Sequence, residues 1–138
     1  MKKIPITESA LIIRTDFSKE AAWESIATAI QNPPDPFVFN MEFLTDREYD
    51  GATVEQLMKA LPEDYPHSFM VIVDKVATSQ PDHPLLVIDL LEQPGREFRA
   101  LPSQVASIEN NLSIANMGFE EFADSVDESG IFSGFPEM

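Results

Sequence analysis

Five consecutive apolar residues, Phe69-Met70-Val71-Ile72-Val73, end at Asp74. A strand with one face in water alternates apolar and polar side chains, and this run has no polar position to offer. It reads as a central strand of a sheet. Leu11-Ile12-Ile13-Arg14-Thr15-Asp16, an apolar β-branched run ended by a turn residue, reads as a short buried strand, and Leu85-Leu86-Val87-Ile88-Asp89-Leu90-Leu91 as another strand. A chain of 138 residues, 43% of them hydrophobic, has the material for one core built around such strands. At this size about two-thirds of the unfolded surface is buried, so no covalent staple is required. The sequence has no cysteine, which removes disulfide frameworks, thiolate nucleophiles and Cys-ligated zinc.

Between these strands the apolar residues take helical spacing. Ser18 suits an N-cap with Glu20 in the first turn, and Trp23, Ile26, Ala27 and Ile30 make a stripe that predicts a helix over 19–31. Asn32-Pro33-Pro34-Asp35-Pro36 ends it. Residues 37–44 alternate Phe37, Phe39, Met41 and Phe43 with polar neighbours and predict a second strand, followed by a polar loop over 46–51. Thr53 and Gln56 match a capping box ahead of Val54, Leu57, Met58 and Leu61. Pro94-Gly95 turns residues 85–91 back along Arg96–Leu101 as a hairpin. Val105, Ile108, Leu112 and Ala115 keep a broken helical spacing that Asn110 and Asn111 interrupt. Asn116 is placed to cap a last helix carrying Phe119, Phe122, Ala123 and Val126, closed by Gly130.

The element order is therefore β-α-β-α-β-β-β-α, with a further helix near residue 105. It predicts an α/β domain, or a mixed α+β one, with a single central mixed sheet of about five strands and flanking helices. Residues 1–138 read as one domain, with 1–9 and 136–138 as flexible ends. The order also resembles a thioredoxin-like arrangement, which without a redox cysteine remains an analogy of topology.

Charge is the strongest compositional feature. Nine Lys and Arg stand against 24 Asp and Glu, a net charge of −15. Such a field repels nucleic-acid phosphates and anionic lipid, and the cations form no basic patch along the chain. No apolar run reaches the roughly 18 residues of a membrane helix. Glu8 interrupts the start before a signal h-region forms, so a cytoplasmic protein is expected. Residues 100–138 hold no Lys or Arg, and Glu120, Glu121, Asp124, Asp127 and Glu128 crowd the last helix. Their functional reading is a surface that steers a basic protein partner; their plain reading is a solvated helix face.

Three stretches carry a resemblance. They are Arg14-Thr15-Asp16-Phe17-Ser18 with Ala22-Trp23-Glu24, then Tyr49-Asp50-Gly51 leading into Thr53-Val54-Glu55-Gln56-Leu57. The third is Glu109-Asn110-Asn111-Leu112-Ser113-Ile114-Ala115-Asn116-Met117 with Phe119-Glu120-Glu121-Phe122-Ala123 and Gly130-Ile131-Phe132. Together they resemble a family of small bacterial proteins described only as a domain of unknown function, over roughly residues 10–135. The resemblance implies a bacterial cytosolic single-domain protein and carries no site residues.

No G-x-S-x-G, G-x-G-x-x-G, Walker, H-E-x-x-H or EF-hand pattern is present. Asp82-His83 offers two metal ligands where a stable site needs three or four. Asp16, Asp46 and Asp74 each follow a predicted strand and, on parallel strands, lie along one sheet edge. Converging there, they would hold Mg²⁺, with Thr15 and Ser18 adding hydroxyls and Lys75 a phosphate contact. Asp is also a common turn and cap residue, which accounts for the same positions without a metal. Asp89, inside an apolar run, calls for a partner, and Arg96 or Arg99 across the hairpin is the expected one. Phe132 and Phe135 read either as a docking segment or as a tail folded over the core.

The leading expectation is a non-catalytic, acidic protein-binding or regulatory module with no cofactor. A Mg²⁺-dependent enzyme or ligand-binding domain acting on a phosphorylated small molecule at the strand edge is the alternative. A structural subunit of a larger complex fits the same sequence as the first reading.

Overall fold

The computed structural model describes residues 1–135; residues 136–138, expected as a flexible end, lie outside the described residues. Its strands are β1 (Leu11–Arg14), β2 (Glu42–Leu44), β3 (Phe69–Val73), β4 (Leu85–Asp89), β5 (Glu97–Ala100) and β6 (Ile131–Phe132). Its α-helices are α1 (Glu20–Gln31), α2 (Val54–Lys59), α3 (Lys75–Ser79), α4 (Val105–Ser113) and α5 (Phe119–Ala123). The strands form one mixed sheet in the order β2-β1-β3-β4-β5-β6. β1 runs parallel to both β2 and β3, β3-β4-β5 is an antiparallel meander, and β6 joins β5 in parallel.

Alternation along the central strands divides the core in two. Phe69, Val71 and Val73 of β3 face one layer with Ile12, Leu85 and Val87, against Trp23, Ile26 and Ile30 of α1, Val105 and Ile108 of α4, and Phe119 and Phe122 of α5. Met70 and Ile72 face the other, with Leu11, Ile13, Leu86 and Ile88, against Leu57 of α2, Tyr49 and Ile4. Both faces of β3 are thus covered, which is why the run carries no polar residue. The predicted capping box is in place: Thr53 Oγ1 accepts from Gln56 N at 3.1 Å and Gln56 Oε1 accepts from Thr53 N at 3.0 Å.

Three local expectations are corrected, and one open reading is decided. Residues 1–9 are not a loose end: Ile4 is buried, its amide donates to the Ala60 carbonyl at 2.8 Å, and the Tyr49 hydroxyl reaches the Lys2 and Lys3 carbonyls. The second strand shrinks to residues 42–44, because β1 begins only at Leu11, opposite Glu42, and leaves residues 37–41 without a ladder partner. Residues 75–79, where no helix is predicted, form helix α3, capped by the Asp74 carboxylate through Ala77 N at 3.1 Å. The tail supplies a sixth strand, on which Phe132 is buried edge-on to Phe122 with ring centroids 5.2 Å apart. Phe135 rests on both rings, at 5.4 and 5.0 Å, so the tail folds back over α5.

Candidate functional site

Parallel β1, β2 and β3 put Asp16, Asp46 and Asp74 on one edge of the sheet, and the order β2-β1-β3 makes the gap between β1 and β3 the topological switch point. Each carboxylate there has partners of its own. Asp16 is 8% exposed; Oδ1 accepts from the Ser18 hydroxyl at 2.7 Å and the Ser18 amide at 3.2 Å, and Oδ2 accepts from the Thr78 hydroxyl. Burial pushes the Asp16 carboxyl up, but the Thr78 and Ser18 hydroxyls, the Ser18 amide and the nearby Lys19 charge outweigh it and hold it below the ordinary value. Asp46 pairs with Lys2 and accepts from Glu48 N at 2.9 Å; the Lys2 bond, then the Glu48 amide, lower its carboxyl. Asp74 is gripped by both Arg99 η-nitrogens, at 3.0 and 2.7 Å. Among the described residues no group of three or more His, Asp or Glu side chains is gathered to hold a metal ion. The expected common ligand set does not assemble. Strand ends side by side in a parallel sheet still aim their loops apart, and each loop satisfies its own carboxylate first.

The same edge collects positive charge. Lys2, Arg14, Lys19, Arg47, Lys75 and Arg99 all stand there, six of the nine Lys and Arg in the chain. Arg14 is 5% exposed, donates to the Asp16 carbonyl at 3.0 Å and to Glu20 Oε2 at 2.8 Å, and lies over the rings of Phe17 and Trp23 at 4.4 and 4.8 Å. Lys19 Nζ donates to Ser79 Oγ at 2.8 Å. The cations here are mostly committed to holding loops.

The opposite edge, where β1 and β3 begin and β4 ends, is different. A cleft of about 190 Å³ opens between the β4-β5 loop and the α4-α5 linker, lined by Ser68, Asp89, Leu91, Leu112, Met117 and Phe119 among others. It continues past His67 and Ser113 to Glu8, Asn40 and Glu109 under α4, and ends by Phe37 and Val38. Among the described residues, none that line this run is a Lys or Arg. Two large apolar side chains lining it stay exposed, Val38 at 76% and Leu91 at 69%, and Ile114, between the lining residues Ser113 and Ala115, is 65% exposed. At the cleft mouth the Glu120 carboxylate lies over Gly118, on the same cleft as Glu92, and Glu120 raises the Glu92 carboxyl above its ordinary value.

Local hydrogen bonds build the cleft walls. Asp89 does not pair with Arg96 or Arg99 as expected. Its Oδ1 accepts from Leu91 N at 2.9 Å and Glu92 N at 3.3 Å, and its Oδ2 accepts from Gln93 N at 2.8 Å. This buried carboxylate folds the loop that presents Leu91 and Glu92. Across the cleft, α4 runs through Asn110 and Asn111 to Ser113, and the break falls at residues 114–118, with Ala115 at φ +56°. Asn116 does not cap α5. Its amide donates to Asn111 Oδ1 at 2.8 Å, while Gly118 takes the N-cap position and gives its N–H to Glu121 Oε2 at 2.8 Å. A Cβ at Gly118 would collide with the Glu120 carboxylate, which folds back over this glycine.

The acids singled out in the tail therefore have separate tasks. Glu121 completes the α5 N-terminus, Asp124 pairs with Arg96 at 2.9 Å, and Asp127 Oδ1 accepts from Ser129 N and Ile131 N to turn the chain into β6. Glu120 stands at the cleft and Glu128 is exposed. Sequence reading missed Leu91, Glu92, Leu112 and Thr78. Gln93-Pro94-Gly95 directly after Glu92 marks a turn that leaves Leu91 at a strand end, the one local sign that its side chain lies off the core.

No curated protein matches this sequence. A family model does, over residues 9–135, which takes in every strand and helix described above. The chain belongs to the family described as a domain of unknown function, DUF6924.

Proposed function

We propose that this domain is a non-catalytic binding module for a basic protein partner. The supporting observation is how charge is divided between the two edges of the sheet. Six of nine cations lie at the carboxyl edge of the parallel strands, and the run of clefts at the other edge has carboxylates along it and, among the described residues, no Lys or Arg in its lining. A net charge of −15 steers cationic proteins toward the surface and repels anionic ones. Exposed Leu91, Ile114 and Val38 then provide apolar area for a docked partner to cover.

The test uses defined peptides. A fluorescein-labelled lysine-rich peptide and its glutamate-rich counterpart are titrated with the protein, followed by anisotropy, from about 0.01 to about 1 M salt, over which the Debye length falls from about 30 to about 3 Å. The lysine-rich peptide is expected to bind with an affinity that drops steeply with salt, and the glutamate-rich one not to bind. Equal affinity for both peptides, or no binding of either at low salt, refutes the reading.

A further inference from the structure

The cleft beside β4 is small. At about 190 Å³ it falls below the roughly 300–1,000 Å³ of pockets that enclose whole small molecules or cofactors, and it suits a single apolar side chain. Its apolar wall is Leu91, Leu112, Met117 and Phe119, and its rim carries Glu92, with the Glu120 carboxylate folded over the lining residue Gly118. Two carboxyl groups held in contact at a surface repel each other when both are ionised, and either a proton or a cation relieves this. In the free protein the contact with Glu120 raises the Glu92 carboxyl above its ordinary value.

We propose that the cleft receives a partner segment in which a Leu- or Met-sized side chain neighbours a Lys or Arg, the apolar group lying against Leu91, Leu112 and Phe119 and the cation lying between Glu92 and Glu120. This rests on the reading of the domain as a binding module for basic proteins and names what that module recognises. Charge complementarity selects the occupant: a second copy of the chain would bring another net −15 to an acidic rim. The rim groups are held without a partner's help. Asp89 shapes the loop carrying Glu92, and Gly118 leaves room for the Glu120 carboxylate.

Two peptides of equal length and charge, one alternating lysine with leucine and one alternating lysine with serine, serve as probes by anisotropy. Glu92, Glu120 and Leu91 are exposed, so their substitution leaves the core intact. The lysine–leucine peptide is expected to bind at least about fivefold tighter than the lysine–serine one. Glu92→Lys with Glu120→Lys should weaken it about tenfold, and Leu91→Ser should remove its advantage over the serine peptide. Glu24→Lys with Glu63→Lys, the same change of net charge elsewhere on the surface, should weaken it less than about twofold. Equal weakening by the two double variants would overturn the cleft assignment and leave the general electrostatic reading standing. Absence of any peptide binding by the wild type at low salt would remove both. A dimer in sedimentation equilibrium that Leu91→Ser dissolves would put a second copy in the cleft, and also overturns the assignment.

Discussion

Asp89→Ala removes one buried carboxylate and with it the fold of the loop that carries Leu91 and Glu92. The carboxylate is 2% exposed and accepts from Leu91 N, Glu92 N and Gln93 N at 2.9, 3.3 and 2.8 Å. Hydrogen bonds to a charged acceptor contribute about 1.5–3 kcal/mol each when the donors are left unpaired. Here Leu91, Glu92 and Gln93 are exposed, so water takes over the freed N–H groups and each bond is worth closer to about 1 kcal/mol. Three such bonds sum to about 3 kcal/mol, and with the burial cost of the carboxylate relieved the net loss is at least about 2 and below about 3 kcal/mol. At this chain length that corresponds to a melting temperature lowered by about 6–15 °C. Asp89→Asn keeps one acceptor oxygen and turns an amide N–H₂ toward the remaining donors, so it should lose about half as much. Thermal melts by circular dichroism measure both. A shift below about 2 °C for Asp89→Ala would refute the assignment of this carboxylate as the organiser of the loop. The same variants should lose the lysine–leucine peptide at temperatures where they remain folded, since Leu91 and Glu92 are no longer held at the cleft.

Phe122→Ala should destabilise the domain by about 3–5 kcal/mol in urea denaturation, because the ring is fully buried among Phe98, Phe132 and Phe135; a loss below about 1 kcal/mol would contradict that packing. Asn116→Ala should leave stability within about 0.5 kcal/mol of wild type, since its exposed amide donates to Asn111 Oδ1 while Gly118 holds the α5 N-cap; a loss near 1 kcal/mol would restore it as a cap. Glu92→Gln should raise the melting temperature at neutral pH and have no effect at pH well below 4.5. The folded-state carboxyl is raised, so folding gains from its proton at low pH and that gain is lost as pH rises through the folded-state value. A neutral amide escapes the repulsion that follows. An unchanged difference across the pH range would refute the pairing with Glu120.

Signals that operate over a few residues were legible in advance. Unbroken apolar runs marked β1, β3 and β4, the Trp23–Ile26–Ile30 stripe marked α1, and Thr53 with Gln56 announced their capping box, because each depends on side-chain period or on atoms three residues apart. The resemblance carried by three stretches holds as family membership over residues 9–135. Long-range pairing decided the rest. β2 is short because β1 is short, which no pattern within residues 37–44 records. Leu85 faces Ala100 in the hairpin, so Arg99 stands at one edge of the sheet beside Asp74 while Asp89 lies at the other, out of its reach. Asp89 turned to its own loop, and Arg96 to Asp124. The cleft itself joins Ser68, Leu91, Leu112 and Phe119 from four separate stretches of chain, and the contact of Glu92 with Glu120 spans the β5 hairpin and α4. Periodicity along a segment states which face is apolar, but it carries no record of which other segment arrives to cover that face or to leave it open.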